Sequence, residues 1–132
     1  MNIEPKDNKD FLNDAIDYFN KNSFKEMCGF IYFQNQFKFE KATNYSNSID
    51  YFEIHPAEFL NFKLNKNLVA IIHSHVNGDE NLSQEDKESS ENCLYPYLIY
   101  STKTKKFSFY YKDDYEPKIE LIKKLENLIN DY

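Results

Sequence analysis

Apolar residues recur at two periods along the chain, and the switches between those periods divide it into elements. Over residues 10–20, Phe11, Leu12, Ala15, Ile16 and Phe19 repeat at helical spacing, with Asp7, Asn8 and Asp10 as candidate caps. Residues 27–33 are apolar and aromatic, as a strand requires. Gln34-Asn35-Gln36 reads as a hairpin turn, and 37–45 as the returning strand. A polar loop follows over 44–50, then a short strand over 51–54. Pro56 opens PAEFLNFKL, a helix with proline in its first turn. After Asn67 comes LVAIIHSH, a buried strand, then a loop over 77–81 and a helix over 83–94. YPYLIYS (95–101) and FSFYYK (107–112) are strands joined by a lysine-rich turn. From Pro117 to Tyr132, Ile119, Ile122, Leu125 and Ile129 form one stripe of a last helix. Helices and strands alternate without a strict strand–helix–strand rhythm. The pattern predicts an α/β fold in one domain over residues 1–132, a mixed sheet with helices on both faces.

A chain of 132 residues is long enough for a real core. No apolar run approaches the ~18 residues that cross a membrane. The start, MNIEPKDNKDFL, lacks the positive region and apolar stretch of a signal peptide. A soluble, cytoplasmic protein with no membrane partner is expected. The net charge is −6, and all sixteen basic residues are lysines. Without arginine, the usual reader of phosphate and guanine, and without a basic stripe, no nucleic-acid partner is expected. Two cysteines, Cys28 and Cys93, with no CxxC argue against a disulfide framework or a thiolate metal site. Both are expected buried and reduced.

The chemistry gathers in HSHVNGDENLSQED, residues 73–86. In a strand, residues two apart share a face, so His73 and His75 project together and Ser74 points away. Neutral imidazoles on one face suit a borderline cation such as zinc, and the following helix brings Asp86 back toward them. Two histidines and one carboxylate leave the fourth position of a tetrahedral ion open, as in catalytic sites. Glu26, just before the apolar run of EMCGFI, is the candidate base if its strand neighbours the histidine strand. Each piece alone has a plainer reading. HxH is usually incidental, a lone Glu26 is a surface acid, and Ser83-x-x-Asp86 is a helix capping box. His55, beside Pro56, reads as a helix-start residue, and Asp79 and Glu80 as a solvated loop. The signatures of zincins (HExxH) and of zinc deaminases (HxE with PCxxC) are absent.

Taken together, Glu26 in EMCGF, His73-Ser74-His75, Ser83 seven residues on and Asp86 two beyond resemble the E…HxHx7Sx2D signature of the JAMM (MPN-domain) zinc metalloproteases. The resemblance runs over residues 23–111, and its compact form is similar to prokaryotic and phage tail-assembly-type members. It implies an MPN/JAB-like curved mixed sheet related in arrangement to cytidine deaminases. It implies one zinc per chain on His73, His75 and Asp86. Glu26 would be the base that takes a proton from the attacking water and passes it to the leaving amine. Ser83 would be the donor to the oxyanion. The implied activity is hydrolysis of a peptide or isopeptide bond in a protein partner, a ubiquitin-like or phage tail protein among the candidates. The alternative is a catalytically silent scaffold in an assembly. Two positions depart from the family pattern: Val76 and Leu82 stand where prolines are usual, which predicts a looser loop, with Asn77-Gly78 adding freedom.

Overall fold

The computed structural model describes residues 9–115 and 119–132. In chain order the elements are α1 (Asp10–Lys21), β1 (Cys28–Gln34), β2 (Gln36–Ala42), α2 (Pro56–Asn65), β3 (Leu68–His75), α3 (Gln84–Cys93), β4 (Tyr97–Ser101), β5 (Phe107–Tyr110) and α4 (Ile119–Asn130). The strands form one mixed sheet in the order β2-β1-β3-β4-β5. Only the β3–β4 pair is parallel, and α3 makes its crossover. This is the single-domain α/β fold with helices on both faces that the pattern predicts. No helix among the described residues is long and apolar enough to cross a membrane.

Strand alternation sorts the side chains into two cores. On one face, Phe11, Leu12, Ala15 and Phe19 of α1 and Ile122, Leu125 and Ile129 of α4 pack over Ile31, Ile72, Leu98 and Tyr100. These are the stripes read from sequence. On the other face, Phe62 of α2 packs with Cys28, Phe30, Tyr32, Ile71 and Tyr97, with Phe52, Phe59 and Leu82 against them. Gly29 is needed where β1 passes β2. A Cβ there would lie 2.6 Å from both the Glu40 carbonyl oxygen and the Phe39 ring.

Several local expectations change. The β1–β2 hairpin turns on a single residue, Asn35, at φ 66°, a left-handed conformation that asparagine tolerates. The strand expected over 51–54 does not form. Its ladder stops at one backbone bond, Tyr45 N–H to the Glu53 carbonyl at 2.9 Å, because the Asn44 side chain takes the Glu53 N–H (2.9 Å). The segment is an extended loop that walls the cleft described below. Of the proposed α1 caps, Asp10 is the first helical residue, and the N-cap, Lys9, makes no side-chain cap bond. Asp7, Asn8 and Pro117 lie outside the described residues. Both cysteines are free, but only Cys28 is fully buried, whereas Cys93 is half-buried at a cleft wall.

Candidate metal centre

His73 and His75 occupy the last turn of the pleat in β3, at the strand's carboxyl end, on the face covered by α2 and α3. In open α/β sheets that end is where ligands bind. The crossover then delivers the N-terminus of α3 to the same place. Ser83 is its N-cap. Ser83 Oγ accepts the Asp86 N–H at 3.0 Å, and Asp86 Oδ2 accepts the Ser83 N–H at 3.0 Å, closing a capping box. The box fixes Asp86 against the histidines. Its Oδ1 lies 3.2 Å from His73 Nε2 and its Oδ2 lies 3.2 Å from His75 Nε2. The ligand atoms of His73, His75 and Asp86 all lie within 4.8 Å of one another.

These distances fit a tetrahedral ion. Bonds of ~2.0–2.1 Å at tetrahedral angles place neighbouring ligand atoms about 3.3 Å apart. The protonation geometry points the same way. His75 Nδ1–H donates to the Asp79 carbonyl at 2.8 Å, so in the neutral ring the Nε2 lone pair faces a carboxylate oxygen. Two electron pairs at 3.2 Å repel unless a proton or a cation lies between them. His73 is the sharper case. It is 0% exposed, and among the described residues its Nδ1 has no partner while its Nε2 faces Asp86 Oδ1 at 3.2 Å without hydrogen-bond alignment. A buried polar group left in that condition costs ~1–3 kcal/mol. Phe52 stacks on the ring (centroids 4.3 Å apart, 24°) and Tyr97 meets it edge-on at 5.5 Å.

Burial holds the His73 pKa below 6.5 despite the nearby Asp86 carboxylate, which keeps the ring neutral as a ligand must be. Burial also works against charge on His75, but Asp86, the Asp79 carbonyl and Glu26 outweigh it, and its pKa is raised. Asp86 resists burial's upward push because both histidines and the Ser83 N–H hold it well below the carboxylate range.

Glu26 stands across from this group. β1 and β3 are antiparallel neighbours with Cys28 opposite His73, and continuing that register sets Glu26 opposite His75. Ser74, which points away from the cluster, pins this end of the pair. It donates its N–H to the Met27 carbonyl (2.9 Å), and its Oγ accepts the Met27 N–H (3.0 Å). The Glu26 backbone is held by Asn44 Nδ2 on its carbonyl (2.7 Å) and by the Ile49 carbonyl on its N–H (2.9 Å). The residue is 9% exposed, and no hydrogen bond from another described residue reaches the carboxylate. Burial pushes its pKa up to about 8, with His75 opposing and Asp86 and Asp50 adding.

Glu26, His75, Ser83 and Asp86 all line one cleft of about 580 Å³ between α2, α3 and the 50–54 loop. His55 lies elsewhere: its Nδ1 accepts the Ala57 N–H at 3.0 Å and caps α2, the helix-start role read from sequence. Asp79 closes a local turn on Asn81, and Glu80 takes the Thr104 hydroxyl at 2.7 Å. The loop after His75 is tied, not loose. Ser101 Oγ donates to the Gly78 carbonyl (2.7 Å), Thr102 N–H to the His75 carbonyl (3.0 Å), and Ser108 Oγ to the Glu80 carbonyl. The β4–β5 end supplies the restraint expected of prolines at Val76 and Leu82. Sequence reasoning did not find Asn44, Ser74 or Phe52 as supports of the site. Each acts through a tertiary contact that no local pattern signals.

No family model matches the sequence, and no curated protein matches it. Among solved structures, the chain is similar to the solution structure of protein DSY2949 from Desulfitobacterium hafniense. The TM-score is 0.59 at 20% identity, over 76% of this chain and 77% of that one. At this identity the likeness shows the fold alone.

Proposed function

We propose that the protein is a metal-dependent hydrolase, and within that class a zinc peptidase or isopeptidase of JAMM type acting on a protein or peptide. The observation that carries this reading is His73, fully buried, with no hydrogen bond to either ring nitrogen among the described residues and Nε2 facing Asp86 Oδ1 at 3.2 Å. A core histidine kept for packing has no reason to forgo hydrogen bonds. A ligand does.

His73 Nε2, His75 Nε2 and one Asp86 oxygen would hold the ion, and the capping box and the Asp79 carbonyl orient two of the three. Zinc held there supplies Lewis acidity, polarising a carbonyl and lowering the pKa of water from 15.7 toward about 7. Glu26 takes a proton from the attacking water. A cation beside it draws its pKa down toward neutrality, where a general base works best. The new C–O bond forms, the carbonyl electrons move to oxygen, and Ser83 donates its hydroxyl proton as a hydrogen bond to that oxyanion. Its Oγ is free to do so because the bond from the Asp86 N–H uses only an acceptor site. The C–N bond then breaks, and Glu26 delivers its proton to the leaving nitrogen.

The test is a peptide-library digest read by mass spectrometry with wild type, Glu26→Gln and chelator-treated protein. Cleavage that needs both the metal and Glu26 is expected. Bound zinc without turnover in wild type would replace the hydrolase with a scaffold.

A further inference from the structure

The cleft beside the candidate centre carries a charge pattern that the hydrolytic chemistry does not need. Five carboxylates line it: Glu26, Asp50, Glu53, Glu85 and Asp86. The chain has sixteen lysines, yet none of the described ones lines this cleft. Lys25, next in sequence to Glu26, is turned to the Ser46 carbonyl at 3.4 Å. Asp86 and Glu26 offset a bound dication, which leaves Asp50, Glu53 and Glu85 as net negative charge around the mouth. All three are exposed, and no ion pair engages them among the described residues.

Two further observations point to a ligand. Glu26 is nine-tenths buried, lines the cleft and has a carboxylate with no hydrogen-bond partner among the described residues, so it lacks a donor. The inner wall is apolar, built from Phe52, Ile54, Phe59 and Tyr97. An apolar cavity with a few convergent polar groups is the usual form of a binding site.

We infer that this cleft takes a peptide segment carrying a cationic side chain next to an apolar one, and that it rejects acidic segments. The inference names the substrate class of the site and rests on the hydrolase reading for the cleft's use. The apolar side chain fills the pocket against Phe59 and Tyr97, and the cationic one stays at the mouth between Asp50, Glu53 and Glu85. Charges ~7 Å apart in water interact by about the thermal energy, roughly threefold in affinity each. Three such charges, screened over about one Debye length, discriminate a substrate charge of either sign on the order of tenfold.

The experiment uses two labelled octapeptides of the same apolar composition, one with two lysines and one with two glutamates. Fluorescence anisotropy is read at once on mixing with zinc-supplemented protein. The lysine peptide should bind about tenfold tighter at 0.15 M salt, and the gap should widen as salt falls. In the isosteric triple variant Asp50→Asn/Glu53→Gln/Glu85→Gln the preference should shrink to within about twofold, with zinc content unchanged. Equal binding of the two peptides, absence of binding by the lysine peptide, or a preference that survives the triple variant overturns the inference. Mass spectra of the same mixtures keep the two ideas apart. Preference without cleavage removes the hydrolase reading alone, and cleavage without preference removes this inference alone.

Discussion

Replacing Glu26 with glutamine should stabilise the metal-free protein at neutral pH while removing the hydrolysis proposed for it. The folded chain holds this carboxyl in a buried position with no donor, which raises its pKa from 4.5 to about 8. Below pH 4.5 both folded and unfolded states carry the proton, and the residue contributes nothing to the pH dependence. As pH rises from 4.5 toward 8, the unfolded chain releases a proton that the folded chain retains, so wild type loses stability across that window. At pH 7 the full linkage is about 3 kcal/mol, and partial solvent access at the cleft wall reduces it to on the order of 1–2 kcal/mol. Glutamine occupies nearly the same volume and does not titrate. Urea unfolding of both proteins in chelator, at intervals from pH 5 to pH 8, measures the difference. The stability gap should grow steadily with pH in favour of the variant. A gap that stays flat across the window, or wild type gaining on the variant as pH rises, would refute the assignment of a buried, donor-less Glu26.

Ser83→Ala should cost about 1 kcal/mol through loss of the α3 cap and lower turnover ~10²-fold by removing an oxyanion donor. Lowered stability with unchanged turnover would leave only the capping role. Phe52→Ala uncovers His73 and should weaken zinc binding on the order of tenfold, the scale of a support behind a ligand. Competition with a chelating dye reads this directly, and unchanged affinity would make the stacked ring packing alone.

Much of this was legible because the relevant signals are local. The stripe of Phe11, Leu12, Ala15 and Phe19 reports α1, and alternation in LVAIIHSH places both histidines on one face of β3. Ser83-x-x-Asp86 announces a capping box that is indeed present. The cap leaves Asp86 available for the proposed ligand role: Oδ2 accepts the Ser83 N–H while both oxygens face the histidines. What failed to show in the sequence depends on distant segments. Whether Glu26 meets His75 hangs on β1 lying beside β3, a pairing between residues 47 apart that Ser74 and Met27 secure. The 51–54 segment has strand composition, but Asn44 competes for its backbone and holds it as a wall. The loop carrying Val76 and Leu82 looks free in isolation, and its restraint comes from Ser101, Thr102 and Ser108.

The central claim is that His73, His75 and Asp86 form one metal site, and elemental analysis of zinc tests it most directly. Wild-type protein, loaded and then dialysed free of excess metal, should retain about one zinc per chain, and the His73→Ala/His75→Ala protein, folded by circular dichroism, should retain almost none. Full zinc occupancy in that double variant, or none in loaded wild type, would contradict the account.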